Sequence, residues 1–190
     1  MLKRSKSKKL QFLRRFRKDG QGATAIEFAI LGIPFAALLF GIVEISVLFF
    51  ITSTTEHAVT SVARKIRTGE FQVADGTEAG FKAAVCAAMA GVGNCNRLRV
   101  DVVTAGTGKF TDLVLPVSPP VCDPNDDVCK ENPPAMPPDN YNDSGSGDVV
   151  IVRVQYVHQL AVPSALTGLA NSSGNTHVIS IATAFRNEPF

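Results

Sequence analysis

From Ala23 to Ile51 the chain reads ATAIEFAILGIPFAALLFGIVEISVLFFI, an apolar run of 29 residues in which Glu27 and Glu44 are the only charges. A bilayer core is crossed by about 20 mostly apolar residues in a helix, whereas buried helices of soluble proteins show runs nearer 10–14. The pattern predicts a transmembrane helix over 23–51 rather than the buried helix of a soluble protein. The apolar period continues beyond it, since Ala58, Val59, Val62, Ala63 and Ile66 recur at helical spacing. Span and amphipathic stretch are expected to form one long helix ending near Gly69, with Glu56, Arg64, Lys65 and Arg67 facing solvent or a neighbouring chain.

A second helix is predicted over Thr77–Ala90, capped by Asp75 or Thr77, with Phe81, Val85, Cys86 and Met89 on one side and Gly91 and Gly93 stopping it. Three segments have strand character: Leu98–Val103, Val149–His158 and Val178–Phe185. In the second, Val150, Val152, Val154 and Tyr156 share a face opposite Arg153 and Gln155. A small antiparallel sheet packed on helices follows, so the fold class is α+β. Residues 104–148 hold eight of the eleven prolines and a Gly/Ser cluster at Ser144–Gly147. Proline lacks the donor that a central strand needs, so this stretch is expected to be loop, with a short edge strand at Phe110–Leu115. Contact with a partner and variable filler are both open readings of it.

Charge gives the apolar run a direction. Residues 1–22 carry nine Lys or Arg against Asp19, a net +8, which leaves −6 for the rest of a chain whose formal total is +2. Such a segment suits nucleic acid, anionic lipid or a topology signal; the apolar run after it favours the last, with no nucleic-acid partner expected. Lys and Arg resist translocation. The expected layout is a cytoplasmic 1–22, a span over 23–51 in the lipid bilayer, and an extracytoplasmic domain over 52–190. Cys86, Cys95, Cys122 and Cys129 all fall on that outer side, where disulfides persist. Pairing of Cys86 with Cys95 and of Cys122 with Cys129 is one of three connectivities. A zinc site is the competing reading, disfavoured because there is no CxxC and His57, His158 and His177 do not stand at ligand spacing from a cysteine pair.

The stretch Gly22-Ala23-Thr24-Ala25-Ile26-Glu27-Phe28 joins the basic segment to the apolar run. A secretory signal has a short apolar core followed by its cleavage site; here a cut after Gly22 would precede the apolar segment and leave the anchor in a mature chain starting at Ala23. These residues resemble the start of type IV prepilins and, among them, the TadE-like pseudopilins of the Tad (Flp) tight-adherence pilus system, through GATAIEFAI, GIVEISVLFF and the terminal AFRNEPF. The resemblance is clearest over residues 14–67 and returns at 182–190. It implies a pilin-like fold and cleavage after Gly22 by prepilin peptidase, with Glu27 at the fifth mature position. It also implies partners among other pseudopilins, pilus subunits and the assembly platform of the bacterial inner membrane.

A mid-helix acid costs about 2.5–3.5 kcal/mol on insertion scales, so an acid in a span is a functional candidate in its own right. The cut would create an α-amine at Ala23 to pair with Glu27; the alternative is that Glu27 sits at the cytoplasmic interface. Glu44, 17 residues on, is about 25 Å further along the axis. It is expected near the outer interface, either solvated or as a polar contact to another membrane helix. Pro34 is a tolerated irregularity in the span.

Signatures of catalysis fail on inspection. Ala105-Gly106-Thr107-Gly108-Lys109-Phe110 lacks the first glycine of a phosphate loop and places Phe110 where Ser or Thr is needed, and Glu56-His57 has no second histidine at zinc-protease spacing. No enzyme activity, cofactor or metal is expected. The function expected is that of a minor pilin needed for pilus assembly. The alternative is a permanently anchored outer module that keeps its N-terminus.

Overall fold

The computed structural model describes residues 23–74, 76–116 and 137–190. Helix α1 spans Ala23–Arg67, 45 residues with Pro34 inside it. The chain divides into two units, the first ending at Ile42 and the second running Val43–Phe190.

In the first unit, residues 23–42 are helical and their large side chains point outward on every side: Phe28 is 78% exposed, Leu31 72% and Ile33 71%. Twenty helical residues rise about 30 Å, the thickness of a bilayer's hydrocarbon core. Pro34 has no N–H to give the Ile30 carbonyl, an omission that membrane helices tolerate.

In the second unit the rest of α1 is amphipathic. Leu48, Ile51, Thr55, Ala58, Val59, Val62, Ala63 and Ile66 are buried, while Glu56, His57, Arg64, Lys65 and Arg67 are exposed. The short helix α2 covers Glu70–Ala74 and α3 covers Glu78–Ala88. Thr77 caps α3, its hydroxyl accepting from the Gly80 N–H at 3.1 Å; Asp75, the other candidate cap, lies outside the described residues. Helix α3 stops where Ala90 and Gly91 take positive φ, 52° and 80°. It buries Phe81, Val85 and Met89, and Phe81 meets Phe71 edge-on at 5.7 Å between ring centroids.

The sheet has strands β1 Leu98–Thr104, β2 Asn140–Tyr141, β3 Val149–Gln159 and β4 Thr176–Arg186, in the order β2-β1-β3-β4. The three longer strands pair antiparallel, with Val100 opposite Val154 and Val154 opposite Ile181. The edge pair β1–β2 is parallel, so the sheet is mixed rather than wholly antiparallel. The edge strand expected at Phe110–Leu115 does not form. Phe110–Asp112 is a 3-10 turn, because the Asp112 carboxylate accepts the Lys109 N–H at 2.8 Å and so competes with strand pairing. Asp139 shapes the real edge: one oxygen accepts the Val100 N–H at 2.9 Å and the other holds Lys82 at 2.7 Å.

One face of the sheet, built from Leu98, Val100, Val102, Val150, Val152, Val154, Tyr156 and Ile179, forms a single core with the α1 stripe and with Phe71, Phe81, Val85 and Met89. On the opposite face Asp101 is fully buried. It accepts from Arg99 Nη2 at 2.9 Å and from Arg153 Nε and Nη2 at 2.9 and 2.7 Å. Arg153 Nη2 also donates to the Pro116 carbonyl.

The last four carbonyls of a helix lack intrahelical donors, and here each has found one. Those of Arg64 and Lys65 accept from Thr68, that of Ile66 from the Gly69 N–H and Gln72 Nε2, and that of Arg67 from the Glu188 N–H. Asn187 Nδ2 donates to Ser144 Oγ and the Gly145 carbonyl, which ties the tail to the same corner. The residues after β4, Asn187–Phe190, thus form a strap over the end of α1. Gly69 sits beneath it at φ +80°, where an added Cβ would lie 2.5 Å from the Phe190 ring. Gly69→Val is expected to destabilise the full chain by about 2–4 kcal/mol, through backbone strain and a displaced Phe190. Denaturant unfolding in detergent checks this; an unchanged midpoint would contradict the strap.

Candidate membrane-anchoring site

Glu27 and Glu44 share a helix but have opposite surroundings. Glu27 is exposed and has no hydrogen-bond or ion-pair partner among the described residues. Its neighbours Ile26, Phe28, Ile30 and Leu31 are 62–78% exposed. A carboxylate set in such an apolar sleeve needs a partner from outside the described chain if the sleeve is immersed in lipid. Gly22, the expected cleavage position, lies outside the described residues, and α1 starts at Ala23.

Glu44 is 5% exposed. Its Oε2 accepts the backbone N–H groups of Ala161 at 3.1 Å and Val162 at 3.3 Å, and its Oε1 lies 3.3 Å from His158 Nε2. The sequence suggested another membrane helix or solvent as the neighbour of Glu44; in the structure its neighbours are the end of β3 and the turn that follows. The physical reason is geometric. Beyond Gln159 the chain turns away from β4, leaving the Ala161 and Val162 donors without sheet partners, and the carboxylate one helix-width away supplies both acceptors.

The turn is further organised by Asn175, at φ 57°. Its Nδ2 donates to the carbonyls of Leu160 and Val162, its Oδ1 accepts the Ser164 N–H at 2.6 Å, and its backbone oxygen accepts the Leu160 N–H. A four-residue helix α4, Ser164–Thr167, closes the turn. Sequence reasoning missed the role of Asn175. The available signal was an Asn-Thr step after Ser-Ser-Gly, the composition of a tight turn with a left-handed residue.

Cys86 and Cys95 form a disulfide that joins α3 to the 3-10 turn before β1. Cys122 and Cys129 lie outside the described residues. Phe28 is an outward-facing apolar side chain of the anchor helix. The segment Ala105–Lys109 is a turn leading into the 3-10 helix.

Glu44→Ala would leave two part-buried N–H groups without acceptors and is expected to cost about 1–3 kcal/mol. Glu44→Gln should cost roughly half as much, because an amide oxygen still accepts. Denaturant unfolding of the full chain in detergent, with chymotryptic cleavage at Leu166 and Leu169 as local readout, tests this. Wild-type stability and protection in Glu44→Ala would show that its bonds to Ala161 and Val162 do not hold the turn.

The residues that carry this geometry can be compared with known proteins. No curated protein and no solved structure gives a significant match to the chain. A family model does match, over a segment that holds the apolar start of α1, Glu27, Glu44 and most of the buried stripe of α1: residues 22–64 are similar to the family described as TadE-like protein.

Proposed function

We propose that this chain is a minor pilin, or pseudopilin, that is anchored in the bacterial inner membrane and acts in assembly of a Tad-type pilus by helix packing rather than catalysis. The observation that carries the reading is the combination at the start of α1. A helix is clothed in exposed apolar side chains on all sides, carries one exposed carboxylate at Glu27, and lies within the match to the TadE-like family.

In this reading the basic segment 1–22 stays cytoplasmic and prepilin peptidase cuts after Gly22. Residues 23–51 span the bilayer and 52–190 form the extracytoplasmic domain. The cut gives Ala23 a free amine four residues before Glu27, which becomes the fifth residue of the mature chain. In hydrocarbon the two charges stabilise each other strongly, whether the amine belongs to the same chain or to the next subunit. Other pseudopilins, pilus subunits and the assembly platform are the partners this implies.

Mass spectrometry of the native N-terminus tests the reading. A mature chain beginning at Ala23 is expected, and Gly22→Leu should leave the precursor intact. Glu27→Ala should still insert in the membrane but reduce surface pili at least about tenfold, the consequence of losing roughly 1.4 kcal/mol or more of pairing energy. An intact Met1 in cells with active prepilin peptidase would favour the permanently anchored outer module instead, and normal piliation of Glu27→Ala would remove Glu27 from assembly.

A further inference from the structure

In the unit Val43–Phe190 the charged residues are gathered away from the end at which α1 enters it. On α1 there is no Lys, Arg, Asp or Glu between Glu44 and Glu56, and in the sheet region none between Arg153 and Arg186. The Glu44 bonds to Ala161 and Val162 bring these two charge-free stretches side by side. The one charge among them, Glu44, is sealed from solvent.

Exposure on α1 shows where an apolar environment would end. Ile45, Val47, Phe49 and Phe50 are 40–76% exposed, and the next exposed positions on the helix are Ser53, Glu56 and His57. The change from apolar to polar therefore comes at least six residues past Glu44, about 9 Å along the axis. The turn held at the level of Glu44 lies on the apolar side of that boundary. A helix tilt of about 20° would move a group ~10 Å off the axis by only ~3–4 Å, so the order of levels survives.

The turn suits such a place. Leu166 is 70% exposed, and Ala161, Pro163 and Ala165 are exposed beside it. Its backbone is largely satisfied from within: Glu44 takes two N–H groups, Asn175 takes one and gives to two carbonyls, and the Leu166 and Gly168 N–H groups bond to the carbonyls of Pro163 and Ser164. A segment that already pairs its backbone loses little on leaving water.

We infer that the turn 160–170 is a second membrane contact, inserted into the outer leaflet of the same bilayer, with Leu166 reaching the phospholipid acyl chains. The inference rests on the anchored reading above.

The chain contains no tryptophan, so single-tryptophan variants report cleanly. Full-length Leu166→Trp, Ala165→Trp, Phe35→Trp and Ser61→Trp would each be placed, one molecule per nanodisc, in phosphatidylethanolamine and phosphatidylglycerol with and without acyl-chain bromination. Loss of Leu166→Trp and Ala165→Trp emission comparable to that of Phe35→Trp, with Ser61→Trp unchanged, is the expected result. Quenching of Phe35→Trp alone overturns the second contact while leaving the anchor in place. That holds equally if the Leu166→Trp emission is blue-shifted only in discs carrying several copies, which would make a second copy the occupant. No quenching of Phe35→Trp would overturn the anchor and the inference together.

Discussion

Everything beyond the anchor hangs on one seam, the packing of the small and branched stripe of α1 against the valine face of β1 and β3. The lengths agree. Glu44 to Arg67 rises about 34 Å as helix, and the eleven residues of β3 span about 34 Å as strand. Both ends of the overlap are fastened by polar groups the backbone itself needed satisfied. At one end Glu44 accepts the donors left over where β3 stops; at the other the C-terminal strap gives the Glu188 N–H to Arg67. The Arg67–Glu188 ion pair at that corner is half-exposed and adds little by comparison.

The seam also gives the two membrane-type acids of α1 different meanings. Burying a carboxylate is tolerable when hydrogen bonds are built around it, and Glu44 has its bonds within the chain. Glu27 is exposed and has none among the described residues. On one helix, an acid held inside the fold and an exposed acid are separated by the presence or absence of a sheet beside them. The stretch similar to TadE-like proteins, 22–64, contains both acids but not the sheet.

Much of this was legible in the sequence because it follows from periodicity. The α1 stripe from Ala58 to Ile66, the face of α3 and the three long strands are set by hydrophobic spacing of 3.6 or 2 and were legible; Leu48, Ile51 and Thr55, buried in the same stripe, were not, because the unbroken apolar run hid which side of it faces the sheet. The Cys86–Cys95 bond belongs to one of the three connectivities that the sequence left open. What escaped was decided by pairing across long separations. The partner of Glu44 is more than a hundred residues away, and β2 owes its place to Asp139 holding the β1 edge. The burial of Arg99, Asp101, Arg153 and Gln155 depends on their facing one another across β1 and β3. Arg99 and Asp101 alternating in β1, with Arg153 and Gln155 alternating in β3, were the visible trace of that cluster. The strap role of Asn187–Phe190 had no local signature, since these residues only make sense over the end of α1.

Amide hydrogen exchange of the full chain in nanodiscs tests the seam most directly. If α1 beyond the anchor and the sheet are one cooperative unit, peptides covering 48–66 and 150–156 will exchange with the same slow opening free energy. Rapid exchange of 48–66 while β3 stays protected would contradict the account, since it would show the helix to be a tether and not the spine of the domain.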